Sequence, residues 1–250
     1  MYNIVFANQK GGVAKTTSAL AVGLGLHRMG KRVLFCDVDP QCNLSRVLGT
    51  DDQSATMYDV LTSNSTAAAA IQDTAKAHII AADERLADRA VYNARNIESR
   101  LRDALRPLAG RYDYCVIDTP PALSVLTMSA IVAASDVIIP AAPDVLSLYG
   151  IDQAAETIDA VRPNNAALRV GILLTQYSDR RNIDRTMKDT ITERAQAMGA
   201  TVYRQTIRAG VAVPEAHLMQ QDIFTSAPRA GVTADYNAFI DEFLKGAQNG

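Results

Sequence analysis

Short apolar runs alternate along this chain with longer stretches whose apolar residues recur at helical spacing. Residues 3–7 are a compact apolar run feeding a glycine turn. Residues 16–29 then place Leu20 and Leu24 one turn apart before Gly30 closes the pattern. Residues 32–36 are a β-rich run that ends in acidic residues. Beyond a polar connection the pattern predicts a weak strand at 78–81, a helix over 96–108, and a strand over 112–117 ending at Asp118. Further strands are predicted at 136–139, 169–174 and 201–204, with helices over 147–161, 184–198 and 234–244. The alanine-rich 67–70 segment reads as a plain helical turn. Alternating units of this length imply right-handed crossovers. The expected fold class is α/β, a doubly wound, mostly parallel sheet with helices on both faces. With no long linker or internal repeat, residues 1–250 read as a single domain.

Composition narrows the chemistry. The formal charge is −2, so any nucleic-acid binding must come from a local basic patch and not from the overall field. The three cysteines, Cys36, Cys42 and Cys115, are odd in number and lack CxxC spacing. They argue against a disulfide framework and a zinc site, and fit a reducing compartment. No run approaches the ~18 apolar residues of a membrane span. The first strand leaves no room for a signal peptide, so the expected location is the cytoplasm.

The predicted strand ends collect the chemically active residues, where sheets of this kind bind ligands. Gln9-Lys10-Gly11-Gly12-Val13-Ala14-Lys15-Thr16-Thr17 joins the first strand to the first helix. A glycine turn that opens a helix aims several backbone N–H groups at one point, and the helix dipole adds to the attraction for an anion. A lysine at the helix start reaches the β- and γ-phosphates, and the next hydroxyl completes a magnesium shell. The general P-loop pattern fails at Gln9 and Ala14, yet a mere turn needs neither the flanking lysines nor the threonine pair. The second strand ends in Asp37-Val38-Asp39-Pro40-Gln41-Cys42-Asn43-Leu44-Ser45, and the strand at 112–117 delivers Asp118-Thr119-Pro120-Pro121. Asp113 lies at the opposite end of that strand and reads as structural.

Lys10 to Thr17 resembles the deviant Walker A motif, K-G-G-V-G-K-T-T, of the ParA/MinD superfamily of ATPases, with Ala14 in place of a glycine. The resemblance covers nearly the whole chain. It implies ATP and Mg²⁺ as ligands, bound along Lys10, Gly11, Gly12, Val13, Ala14, Lys15, Thr16 and Thr17. Lys10 would cross to the phosphates of the other subunit of a homodimer, while Lys15 would serve the chain's own nucleotide. Thr16 and Asp118 would hold magnesium, Asp37 and Asp39 would belong to its shell, and Asp39 would also orient the attacking water. Gln176, Ile207 and Arg208 occupy places where relatives contact adenine, although Arg208 stands where a proline is expected. A Cβ at Ala14 carries a conformational cost if φ is positive.

Among subfamilies, a MinD-like membrane regulator needs a basic amphipathic C-terminal helix, whereas residues 235–244 carry three acids. A nitrogenase-reductase-like carrier needs paired cluster cysteines, and none of the three here is suitably placed. The resemblance then implies a short ParA-type enzyme that lacks an N-terminal helix-turn-helix. Such an enzyme dimerises on Mg·ATP, binds nonspecific DNA, associates with the nucleoid, and is stimulated to hydrolyse by a ParB-like partner. Arg180, Arg181, Arg185, Lys188, Arg194, Arg208 and Arg229 are the candidate DNA contacts, or simply a solvated face. The alternative is a nucleotide-gated scaffold that positions a protein cargo without DNA.

Overall fold

The computed structural model describes residues 1–122 and 124–248. In chain order, β1 (Tyr2–Phe6) leads into α1 (Lys15–Arg28), and β2 (Val33–Asp37) into α2 (Asn43–Leu48) and α3 (Met57–Leu61). β3 (Ile71–Asp73) and β4 (His78–Ile80) form a hairpin, followed by α4 (Arg89–Tyr92) and α5 (Ile97–Leu105). Next come β5 (Tyr114–Asp118), α6 (Val125–Ala133), β6 (Asp136–Ala141), α7 (Val145–Val161), β7 (Arg169–Leu174), α8 (Asn182–Ala197) and β8 (Thr201–Val202). α9 (Ala212–Leu218), α10 (Ile223–Ser226) and α11 (Gly231–Gln248) follow.

The strands form one sheet in the order β3-β4-β2-β5-β1-β6-β7-β8. The β3–β4 pair is antiparallel and the other pairs are parallel. Alternation along each strand sorts its side chains into two cores. Ile4 and Phe6 of β1, with Phe35 and Val116, pack under α1, α2, α10 and α11. Val5 and Ala7, with Cys36, Ile117 and Val137, pack under α3 and α5 to α8. Both faces are therefore covered, as the alternating sequence pattern predicts. Tyr236 of α11 is fully buried against the first layer, and its hydroxyl meets the Ser18 Oγ of α1 at 3.0 Å.

Departures from the predicted elements have local causes. The helix expected over 96–108 stops at Leu105 because Pro107 ends the α-helical ladder, leaving a tighter 3₁₀ turn over Arg106–Leu108. The 67–70 segment is one isolated turn, in which the Ala69 and Ala70 amides both bond the Thr66 carbonyl. β3 and α6 were not anticipated. β3 has only three residues, and α6 lies largely buried in the second core, so it shows no amphipathic stripe. Among the described residues no helix is long and apolar enough to cross a membrane.

Candidate functional site

β1 ends in the middle of the sheet, between β5 and β6, so the loop after it emerges above the carboxyl ends of three strands. Two residues in this loop carry positive φ. Gly12 has φ 74°, which glycine adopts freely, and Ala14 has φ 67° and ψ 34° as the residue capping α1. Ala14 therefore sits in the left-handed region, and the penalty foreseen for its Cβ applies. The loop is braced from several sides. Asn8 Nδ2 donates to the Pro140 carbonyl at 2.7 Å, and Asn8 Oδ1 accepts from the Lys10 amide at 2.9 Å. Thr175 Oγ1 donates to the Val13 carbonyl at 3.1 Å, and Gln176 Nε2 to the Gly12 carbonyl at 2.7 Å.

Lys15 is 7% exposed, and its ammonium donates to the Lys10 carbonyl at 2.9 Å. Burial lowers its pKa, and the nearby Asp118 and Asp39 carboxylates act the other way. Asp37 and Asp118 are register partners at the ends of adjacent strands. Their environments differ sharply. Asp37 Oδ1 accepts from the Asp39 amide at 3.0 Å, and Asp37 Oδ2 from the Ser45 amide at 2.9 Å and hydroxyl at 2.7 Å. Burial still pushes the Asp37 carboxyl up to about 6, with the Ser45 bonds opposing it. Asp118 is fully buried, and neither of its oxygens has a hydrogen-bond partner. Burial first and Asp37 second raise its carboxyl well above the ordinary range. An orphaned buried carboxylate of this kind calls for a cation.

Among the described residues no three His, Cys, Asp or Glu side chains form a metal cage. Magnesium takes one or two carboxylates and fills its shell with water and phosphate oxygens. Asp118 and the Thr16 hydroxyl beside it fit that demand. Both oxygens of Asp37 are engaged by its own loop, so it also anchors the segment that carries Asp39.

Two hollows flank the loop. One, of about 500 Å³, is lined by Gly11, Lys15, Thr16, Asp39, Asn43 and Arg46. The other, of about 300 Å³, brings together Gln176, Ile207 and Arg208 with Val213 and Pro214. They share Gly12, Ala14 and Thr17. One runs toward Asp39 and the other offers a largely apolar slot suited to a planar base. The three predicted adenine contacts thus converge, with Arg208 held by Asp235 through Nε at 2.7 Å and Nη2 at 2.8 Å. Lys10 is ion-paired with Asp144, the N-cap of α7.

The basic residues are partly tied up. Arg180, Arg181 and Arg208 line one polar groove of about 650 Å³, together with Arg204, which the sequence reading missed. Arg181 is bound to Asp184 and to the Gln176 carbonyl, and Arg194 to Asp152. Arg185 donates to Asn182 Oδ1, and the Lys188 ammonium lies 5.5 Å from the centre of the Tyr177 ring. Arg229 is exposed just before α11. Asn8, Arg46 and Asp144 were also missed. Each acts through residues distant in the chain or through cleft shape, and no local motif marks them. Cys36 and Cys115 face each other at 3.6 Å inside the core as free thiols.

Comparison with known proteins agrees with this geometry. A family model described as an AAA domain matches residues 1–170. The chromosome partitioning protein ParA of Myxococcus xanthus is 40% identical over 188 residues, covering 72% of this chain and 66% of that protein. The sporulation initiation inhibitor protein Soj of Bacillus subtilis is 34% identical over 235 residues, covering 91% of this chain and 92% of that one. The crystal structure of cobyrinic acid a,c-diamide synthase from Mycobacterium smegmatis, with a bound ATP analogue and magnesium, matches with a TM-score of 0.80 at 29% identity. That match covers 99% of this chain and 96% of the other. On its phosphate loop, its sheet order and these relatives, the chain belongs to the ParA/MinD family of P-loop ATPases.

Proposed function

We propose that this chain is a partition-type ATPase that binds Mg·ATP, dimerises across the nucleotides, holds nonspecific DNA, and hydrolyses ATP slowly until a ParB-like partner stimulates it. The observation that carries the reading is the braced loop, with the buried Lys15 facing Asp39 and the orphaned carboxylate of Asp118. The loop amides and Lys15 bind the phosphates, and the 300 Å³ slot takes the adenine. Asp39, on the cleft wall, orients the attacking water. Asp37 keeps that segment in place through Ser45 and the Asp39 amide. Thr16 and Asp118 would hold magnesium, which when bound would supply positive charge against the phosphates. Lys10 leaves Asp144 to reach the partner's nucleotide, so dimerisation exchanges one anionic partner for another.

DNA is held by the arginine groove and by Arg185, Lys188 and Arg229, at the nucleoid within the cytoplasm. Two copies joined in one dimer share a duplex, and affinity rises steeply with the number of phosphate contacts. The second reading, a scaffold that positions cargo without DNA, draws on the internal ion pairs of Arg181 and Arg208, which leave fewer free cations.

Sedimentation with and without Mg·ATP, in the presence of an unrelated duplex, tests the reading. Co-sedimentation that needs ATP and weakens as salt rises is expected. ATP-dependent dimers that ignore DNA at low salt would select the scaffold instead. Lys15→Ala should lose nucleotide binding, and Asp39→Ala should bind and dimerise without turning over. Wild-type ATP affinity in the first variant, or full turnover in the second, contradicts the assigned roles.

A further inference from the structure

The cleft beside the phosphate loop contains a cation that the motifs do not account for. Arg46 lies on α2, one residue after Ser45, and lines the same 500 Å³ cleft as Lys15 and Asp39. It is exposed, and its guanidinium forms no ion pair among the described residues. Its backbone, in contrast, is fixed from both sides. Ser45 ties the front of α2 to Asp37 through its amide and hydroxyl. At the far end, the Lys76 ammonium donates to both the Val47 and Gln220 carbonyls, joining α2 to the loop after α9. A free guanidinium on an anchored turn, facing a phosphate-binding loop, has the makings of an oxyanion clamp. It stands on the Asp39 side of the loop, opposite the slot lined by Gln176 and Ile207. That is the side of the terminal phosphate and not of the base.

We propose that Arg46 grips the terminal phosphate of the nucleotide bound to its own subunit, setting a preference for triphosphate over diphosphate and stabilising charge during hydrolysis. The proposal rests on the nucleotide reading above. In that reaction the water oxygen bonds to the γ-phosphorus, and the bond to the β–γ bridging oxygen breaks with its electron pair leaving on ADP. The water's proton ends on inorganic phosphate. Arg46 neither gives nor takes a proton. It donates N–H bonds to the equatorial oxygens, whose charge it neutralises together with Lys15.

Calorimetric titration with Mg·adenylyl imidodiphosphate and with Mg·ADP tests this on the wild-type chain, Arg46→Ala and Arg46→Lys. Because the side chain is exposed and unbonded, neither variant should disturb folding, which melting curves verify. Removing a charge-assisted contact should weaken the triphosphate analogue by about tenfold or more. ADP affinity should change by less than about twofold, because its shorter tail lacks the contacted group. Lysine should restore part of the difference. The same pattern in a Lys10→Ala background, which lacks the residue that crosses between subunits, locates the effect within one protomer. Equal weakening of both nucleotides, or no weakening of either, overturns the proposal. A wild-type chain that binds neither nucleotide removes the ATPase reading itself, and the proposal with it.

Discussion

Ala14→Gly is a small change whose sign follows directly from the backbone. Ala14 is held at φ 67° and ψ 34°, where its Cβ crowds the following carbonyl. For an L-residue that conformation costs about 1–2 kcal/mol, and glycine escapes the cost. Glycine in turn gives the unfolded chain more freedom, which is worth about 0.4–1 kcal/mol against the variant. Ala14 makes no side-chain cap, so nothing else is lost. The balance is a gain of about 0.5–1 kcal/mol. In a chain of this length each kcal/mol moves the melting midpoint by about 2–4 °C. Differential scanning calorimetry of the nucleotide-free protein should therefore show a rise of roughly 1–4 °C for the glycine variant. Ala14→Val, with a branched Cβ in the same conformation, should fall instead. A lower midpoint for glycine than for alanine would refute the argument, because it would mean the loop does not hold this conformation in solution.

Three other perturbations test the site. The Asp37 carboxyl is raised to about 6 by burial, so the folded chain holds that proton more tightly than the unfolded one. Stability is thus fully present at low pH and declines as pH rises from about 4 to about 6, by on the order of 3 kcal/mol. Asp118, shifted the same way, extends the decline upward. Urea midpoints across that range should show the slope, and Asp37→Asn should flatten it. Asp144→Ser keeps an oxygen to cap α7 but removes the carboxylate that holds Lys10, so ATP-dependent dimerisation should strengthen in sedimentation. Gly150→Ala would bring a Cβ within 2.5 Å of Asn8 Oδ1, the atom that holds the Lys10 amide. Nucleotide affinity measured by calorimetry should fall several-fold while the fold persists.

The sequence made the central strands legible because each is a short apolar run that stops at a glycine turn or an acid. β2 ending at Asp37 and β5 ending at Asp118 were marked in this way. The glycine turn with its lysines and threonines was equally clear, since its chemistry is carried by consecutive residues. What escaped depends on distant pairing. Lys10 and Asp144 are 134 positions apart, as are Tyr2 and Asp136. Nothing local announces that they meet. The engaged state of Asp37 was hidden for a related reason, because Ser45 looked like one more residue of the switch segment until its hydroxyl turned back onto the carboxylate. β3 was too short to show periodicity, and it owes its existence to pairing with β4.

The two outermost strands are short, with three residues in β3 and two in β8. Stubs of that length offer a neighbouring molecule almost no exposed main chain to zip onto. Lateral growth from one sheet into the next is thereby suppressed. Under the proposed function, contact between two copies falls instead to the loops crowning the strand ends, where Lys10 and Asp39 lie. The nucleotide would then sit between the copies, and assembly would be answerable to the fuel.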